Sequence, residues 1–205
     1  MVFAHILRIL RAGLLPALLL LAPSCARANT PPSWQGVYWG ESSAALLRHF
    51  GRHAVRLPRP MDFGDSYADV ALPDAVIGGY RVVAFFQMGK RSRGLKRIQI
   101  EWPRGSVGPP AFRALFAALD AAYGRPDGIC DTPPTLTNGF QAQTEALWQR
   151  RGDSIRAIFR DTTIEALEGC LGEMSPPCGL VGQVLLRISP AGADAAHCPQ
   201  GLRSG

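Results

Sequence analysis

His49 and His53 stand four residues apart, the spacing that lets two imidazoles on one helix face share a metal ion. Gly51 lies between them, where a helix is expected to stop, so both are expected to be surface histidines. Asp62-Phe63-Gly64 spells the metal-binding tripeptide of protein kinases, but neither a glycine-rich phosphate loop nor a His-Arg-Asp loop accompanies it. Asp62, Asp65 and Asp69 crowd one stretch; their spacing departs from the twelve-residue calcium loop and its closing glutamate is missing. A solvated, turn-rich loop is the expectation there. Gly40-Glu41-Ser42-Ser43-Ala44 fails the nucleophile-elbow pattern at its last position and precedes a helix. These patterns assign no catalytic, metal or cofactor-binding residue and imply no cofactor.

The densest charge run is Lys90, Arg91 and Arg93, extended by Lys96 and Arg97. One reading is a hairpin tip kept soluble and kept from edge pairing by its charge. The other is attraction to an anionic partner: lipopolysaccharide phosphates, acidic phospholipid or an acidic protein.

The first 28 residues indicate where such a partner would be met. Arg8 and Arg11 precede an apolar run from Leu14 to Ala22, and Ala26-Arg27-Ala28 supplies a small-x-small cleavage site. Together they read as a secretory signal peptide (1–28), and the run falls short of the roughly 20 residues that span a bilayer. A lipid-modified Cys25 is the alternative; Leu21-Ala22-Pro23-Ser24 fits that signal poorly. The expected product is periplasmic or secreted, begins at Asn29 and has no transmembrane span after cleavage. Removing Arg8, Arg11 and Arg27 takes the formal charge from +6 to +3, too mild for a nucleic-acid binder.

Four cysteines remain, Cys130, Cys170, Cys178 and Cys198, separated by 39, 7 and 19 residues. No paired knuckle exists for zinc, and an even count in an oxidising compartment implies two disulfides. The seven-residue loop with Gly172 and Pro176-Pro177 suits Cys170–Cys178. With three strands in the second unit, the tail recrosses the sheet and pairs Cys130 with Cys198.

Those three strands come from a repeat. At an offset of 73 residues, Ala44-Ala45-Leu46 falls on Ala117-Ala118-Leu119 and Phe50-Gly51-Arg52 on Tyr123-Gly124-Arg125. Gly79, Val82, Ala84 and Phe86 meet Gly152, Ile155, Ala157 and Phe159. In the second copy Pro109-Pro110 opens a helix with Phe112, Leu115, Phe116, Leu119 and Tyr123 on one stripe, closed by Gly124. In the first, Ser42 or Ser43 caps, Leu46, Leu47 and Phe50 face inward and Gly51 ends the helix. Strands are expected at 68–77, 80–88 and 95–102, then at 145–149, 154–160 and 180–189. The expected fold is α+β: two tandem α-β-β-β units, about 34–108 and 109–190, in one domain (29–205) whose antiparallel sheet carries both helices on one face. Trp34, Trp39, Trp102 and Trp148 are core candidates, and any on the helix-free face would anchor an interface.

Trp39-Gly40 before the first helix and Tyr123-Gly124-Arg125-Pro126 after the second complete the pattern. In organisation the chain resembles tandem helix-plus-antiparallel-sheet secreted bacterial proteins such as the β-lactamase inhibitor proteins. That resemblance implies a binding protein and carries over no functional residue. The expected function is non-enzymatic, disulfide-stabilised binding of an envelope protein or anionic envelope polymer. A small periplasmic hydrolase acting on envelope polymers is the alternative.

Overall fold

The computed structural model describes residues 33–103, 107–133, 141–162 and 182–193. Two helices, α1 (Ser43–Phe50) and α2 (Pro109–Tyr123), accompany eight strands. These are β1 (Val55–Asp62), β2 (Ser66–Ile77), β3 (Tyr80–Gly89), β4 (Leu95–Glu101), β5 (Gly128–Thr132), β6 (Gln141–Arg150), β7 (Asp153–Thr162) and β8 (Gln183–Pro190). They form one antiparallel sheet in the order β1-β2-β3-β4-β8-β7-β6-β5. The expectation of an α+β fold with an antiparallel sheet holds, and the sheet is continuous through β4 and β8.

Among the described residues each α-helix is followed by four strands, not the three expected. β1 escapes notice because Val55-Arg56-Leu57-Pro58-Arg59-Pro60 carries two residues without a backbone donor. Its pairing with β2 skips from Arg56 to Met61, and such a strand is tolerated only at a sheet edge. β5, the opposite edge, is five residues long and runs into Pro133. Short or proline-bearing edges discourage pairing with foreign strands.

Several element bounds repeat at one interval. β1 and β5 start 73 residues apart (55 and 128), as do β3 and β7 (80 and 153), and α1 and α2 end 73 apart (50 and 123). The β2–β3 and β6–β7 turns obey the same interval: Gly78-Gly79 and Arg151-Gly152, all four with positive φ. Two successive left-handed residues give the turn whose twist matches that of the strands. Gly78 has a second constraint, since a Cβ there would lie 2.7 Å from the Ala114 carbonyl oxygen of α2.

One core lies between the helices and a single sheet face. Ser42 caps α1 by accepting the Ala45 N–H, and eight residues would not stay helical without burial of Leu46. Ala111, Leu115 and Leu119 of α2 enter the same core. The sheet contributes Val82, Ala84 and Phe86, Ile98 and Ile100, Leu186 and Ile188, Ile155 and Ala157, and Trp148. Cross-strand partners share a face: Phe86 opposes Ile98, Ile98 opposes Ile188, Ile188 opposes Ile155 and Ile155 opposes Trp148.

The other face is polar at its centre. One row runs Leu147–Arg156–Arg187–Gln99–Phe85 across five strands. Opposed arginines repel, and Glu145, on the neighbouring row, meets Arg156 at 2.6 Å. Both side chains are 3% exposed.

Candidate functional site

β-meander geometry decides which loops are neighbours. With β1 in place, the β1–β2 loop and the β3–β4 turn fall at the same end of the sheet. Asp62 and Asp65 therefore meet the basic run, from which they are far apart in sequence. Lys90 approaches Asp62 at 2.9 Å, Lys96 bonds Asp65, and the Arg97 guanidinium reaches Asp65 at 3.2 Å. Asp69, on β2, turns elsewhere, accepting from the Ser43 hydroxyl at 2.6 Å and from Arg56 at 3.1 Å.

The turn itself is ordered by its backbone. Gly89 N–H donates to Gly94 O at 2.9 Å and Arg93 N–H to Gly89 O at 2.8 Å. Arg93 takes φ +58°, a left-handed conformation that costs a non-glycine residue about 1–3 kcal/mol. In return its guanidinium lies 5.1 Å above the Tyr67 ring centre, a cation–π arrangement. Arg91 is exposed at the tip. The five sequence-predicted cations thus share one end of the sheet, and two carboxylates, Asp62 and Asp65, are bound among them. These seven side chains, five positive and two negative, sum to a formal +3.

The carboxylates feel this field. Lys96 above all, then Arg97 and Ser66, hold the Asp65 carboxyl far below the usual carboxylate range. The Lys90 ammonium and the Gly64 N–H lower Asp62. The Arg97 fork is fixed from behind: its side chain is 14% exposed and Nη1 also donates to buried Gln87 at 2.9 Å.

The remaining candidates lie elsewhere. The His49 ring sits 2.9 Å from the Gln35 carbonyl oxygen, while Gly51, at φ +55°, ends α1 before His53. At the end of β2 remote from the basic turn, His53 and Asp74 line an open cleft of about 410 Å³ floored by Phe50, Leu72 and Ala75. Trp102 and Trp148 are in the core, and Trp34 and Trp39 pack against it. No tryptophan anchors the helix-free face. Cys130 is buried on β5 opposite Glu145; it lies within a strand, whereas the expected strands place it ahead of one that begins at 145. Cys170, Cys178 and Cys198 fall outside the described residues, as does the signal segment.

Among the described residues no group of three or more histidine, cysteine or acidic side chains could hold a metal ion. None of their helices is long and apolar enough to cross a membrane. No family model, curated protein or solved structure matches this chain.

Proposed function

We propose that this chain is exported to the cell envelope and acts there as a non-enzymatic binding protein for an anionic, phosphate-bearing envelope polymer or lipid surface. One observation carries the reading: the +3 formal excess gathered on the β3–β4 turn and the adjoining starts of β2 and β4, with Arg91 exposed at its tip. Clustered charge of one sign raises the local concentration of an opposite partner and its encounter rate. The helix-free face is a weaker candidate, because Glu145, Arg156, Ile158 and Leu185 at its centre are 2–3% exposed.

Export rests on the charged, apolar and small-x-small segments of residues 1–28. The 73-residue interval shared by several element bounds supports two halves, each a helix with its sheet, descended from one unit. In an oxidising compartment we assign the bridges Cys170–Cys178 and Cys130–Cys198. Mass spectrometry of the exported protein is expected to give an N-terminus at Asn29 without lipid. Non-reduced peptide maps are expected to give those two bridges, and a Cys130–Cys170 peptide overturns the pairing.

The function is tested with purified exported protein and vesicles. Binding to phosphatidylglycerol vesicles, weakened as salt rises from 0.05 to about 0.5 M, is expected, with none to phosphatidylcholine. Equal binding to both lipids, or to neither, rejects the reading.

A further inference from the structure

We infer that Lys96, Arg97 and Ser66 form a seat for a phosphate-type oxyanion, and that Asp65 of the same chain fills it in this structure. The inference rests on the phosphate-bearing partner proposed above and names the atoms that would take the phosphate. Asp65 Oδ2 accepts from Lys96 Nζ and from Arg97 Nη2 at 3.2 Å. Oδ1 accepts from Arg97 Nη1 at 3.4 Å and from the Ser66 hydroxyl at 3.0 Å. Two cationic groups and a hydroxyl thus converge on one carboxylate, with the guanidinium fork addressing both of its oxygens, an arrangement that suits phosphate equally.

The donors and the occupant are held differently. Lys96 and Arg97 are successive residues of β4, Ser66 opens β2 and is buried, and Gln87 Oε1 of β3 braces Arg97 and offers the Ser66 hydroxyl its alternative acceptor. These groups stand on paired strands. Asp65 stands in the β1–β2 loop beside Gly64, which has φ +82°, and its side chain is 49% exposed. The seat therefore opens to solvent on the side from which the loop enters. A tethered carboxylate competes at a high effective concentration, so a single phosphate in solution displaces it poorly. A surface dense in phosphate, also engaging Lys90, Arg91 and Arg93, competes far better. Asp65 would thus tune the site toward multivalent anions and away from free phosphate. The strong depression of the Asp65 carboxyl agrees with a seat made for an anion.

Asp65→Asn keeps the shape of the side chain and removes its charge. Full-length exported protein carrying it is expected to bind inorganic phosphate at least tenfold more tightly than the unsubstituted protein, by calorimetry at constant ionic strength. Adding Lys96→Gln is expected to abolish the gain. Equal phosphate affinity with and without Asp65, in variants whose thermal melts confirm folding, overturns the seat. If Asp65→Asn does not fold, Asp65→Ser replaces it under the same criterion. If neither folds, the unsubstituted protein decides with a multivalent probe: linear inorganic polyphosphate must raise its melting temperature beyond an equal ionic strength of chloride, and no difference overturns the seat. Vesicles separate the two proposals. A phosphate gain without phosphatidylglycerol binding by either protein keeps the seat and rejects the lipid surface. Vesicle binding with no phosphate gain does the reverse.

Discussion

Asp65 and Asp127 each bind arginine, and the two pairs serve opposite ends. At the corner after α2, Arg150 Nη1 meets both Asp127 oxygens at 2.8 and 2.7 Å. Its Nε donates to Tyr123 O and its Nη2 to Arg125 O, each at 2.9 Å. Asp127 also accepts the Gln149 N–H, and the Trp148 indole donates to Gly124 O at 2.7 Å. Every guanidinium nitrogen is thus used on one turn, and the positive charge sits where a helix leaves its last carbonyls unsatisfied. At the basic end the cations outnumber the carboxylates, and Lys90, Lys96 and Arg97 bond side chains. The same pair of residue types is a structural clamp in one place and a residual field in the other. At the corner three backbone carbonyls, those of Tyr123, Arg125 and Gln149, lie within reach of the guanidinium.

The largest effect that would break this contrast is at the clamp. Arg150→Ala removes a two-pronged charged contact and two bonds to carbonyls, with an expected loss of about 2–4 kcal/mol. For a chain of this size that is a fall of roughly 5–12 °C in melting temperature, read by thermal circular dichroism. Arg150→Lys should recover little, because an ammonium cannot reach the two carbonyls and both carboxylate oxygens together. A loss below about 0.5 kcal/mol would make the corner no different from the basic end.

Acid sharpens the contrast at intermediate size. Arg150 holds Asp127 below the ordinary carboxylate range, as Lys96 does Asp65. A carboxyl whose folded value is depressed contributes stability that is complete above its unfolded value, near 3.9. That stability is lost as pH falls through the folded value. The urea midpoint is therefore expected to decline from about pH 5 downward, and Asp127→Asn to flatten part of that decline. An unchanged slope in Asp127→Asn would show that the pair does not couple to folding.

The corner was partly legible, and the basic end only as a charged hairpin tip without its carboxylates, for a physical reason. Tyr123-Gly124-Arg125-Pro126 announces a helix stop through local conformational preference, and Gly124 indeed closes α2 with φ +77°. Gly51 closes α1 in the same way, and Val82-Ala84-Phe86 alternate into the core as expected. The meeting of Asp62 and Asp65 with the basic run depends instead on contacts 28 to 32 residues apart. Those contacts depend on β1, whose prolines disguise it as a loop. Once a fourth strand precedes the meander, the two loops must share an end. The buried Glu145–Arg156 pair escaped for a related reason: a strand reading separates inward from outward residues but does not identify which outward ones are covered.

The smallest expected effect on stability is at the exposed rim of the basic end. Lys90 and Asp62 are 45% and 69% exposed, and solvent screens a pair of this kind so far that it adds little to stability. Lys90→Gln should leave the melting temperature within about 2 °C of the unsubstituted protein. It also lowers the local charge from +3 to +2. A lysine near an anionic membrane is worth about 1 kcal/mol, so phosphatidylglycerol binding should weaken roughly fivefold at low salt. The difference should vanish as salt approaches 0.5 M, where screening reaches only a few ångströms. Loss of stability without loss of binding would mark Lys90–Asp62 as a second clamp. Loss of binding at constant stability separates the two roles that Asp–cation pairs play in this fold.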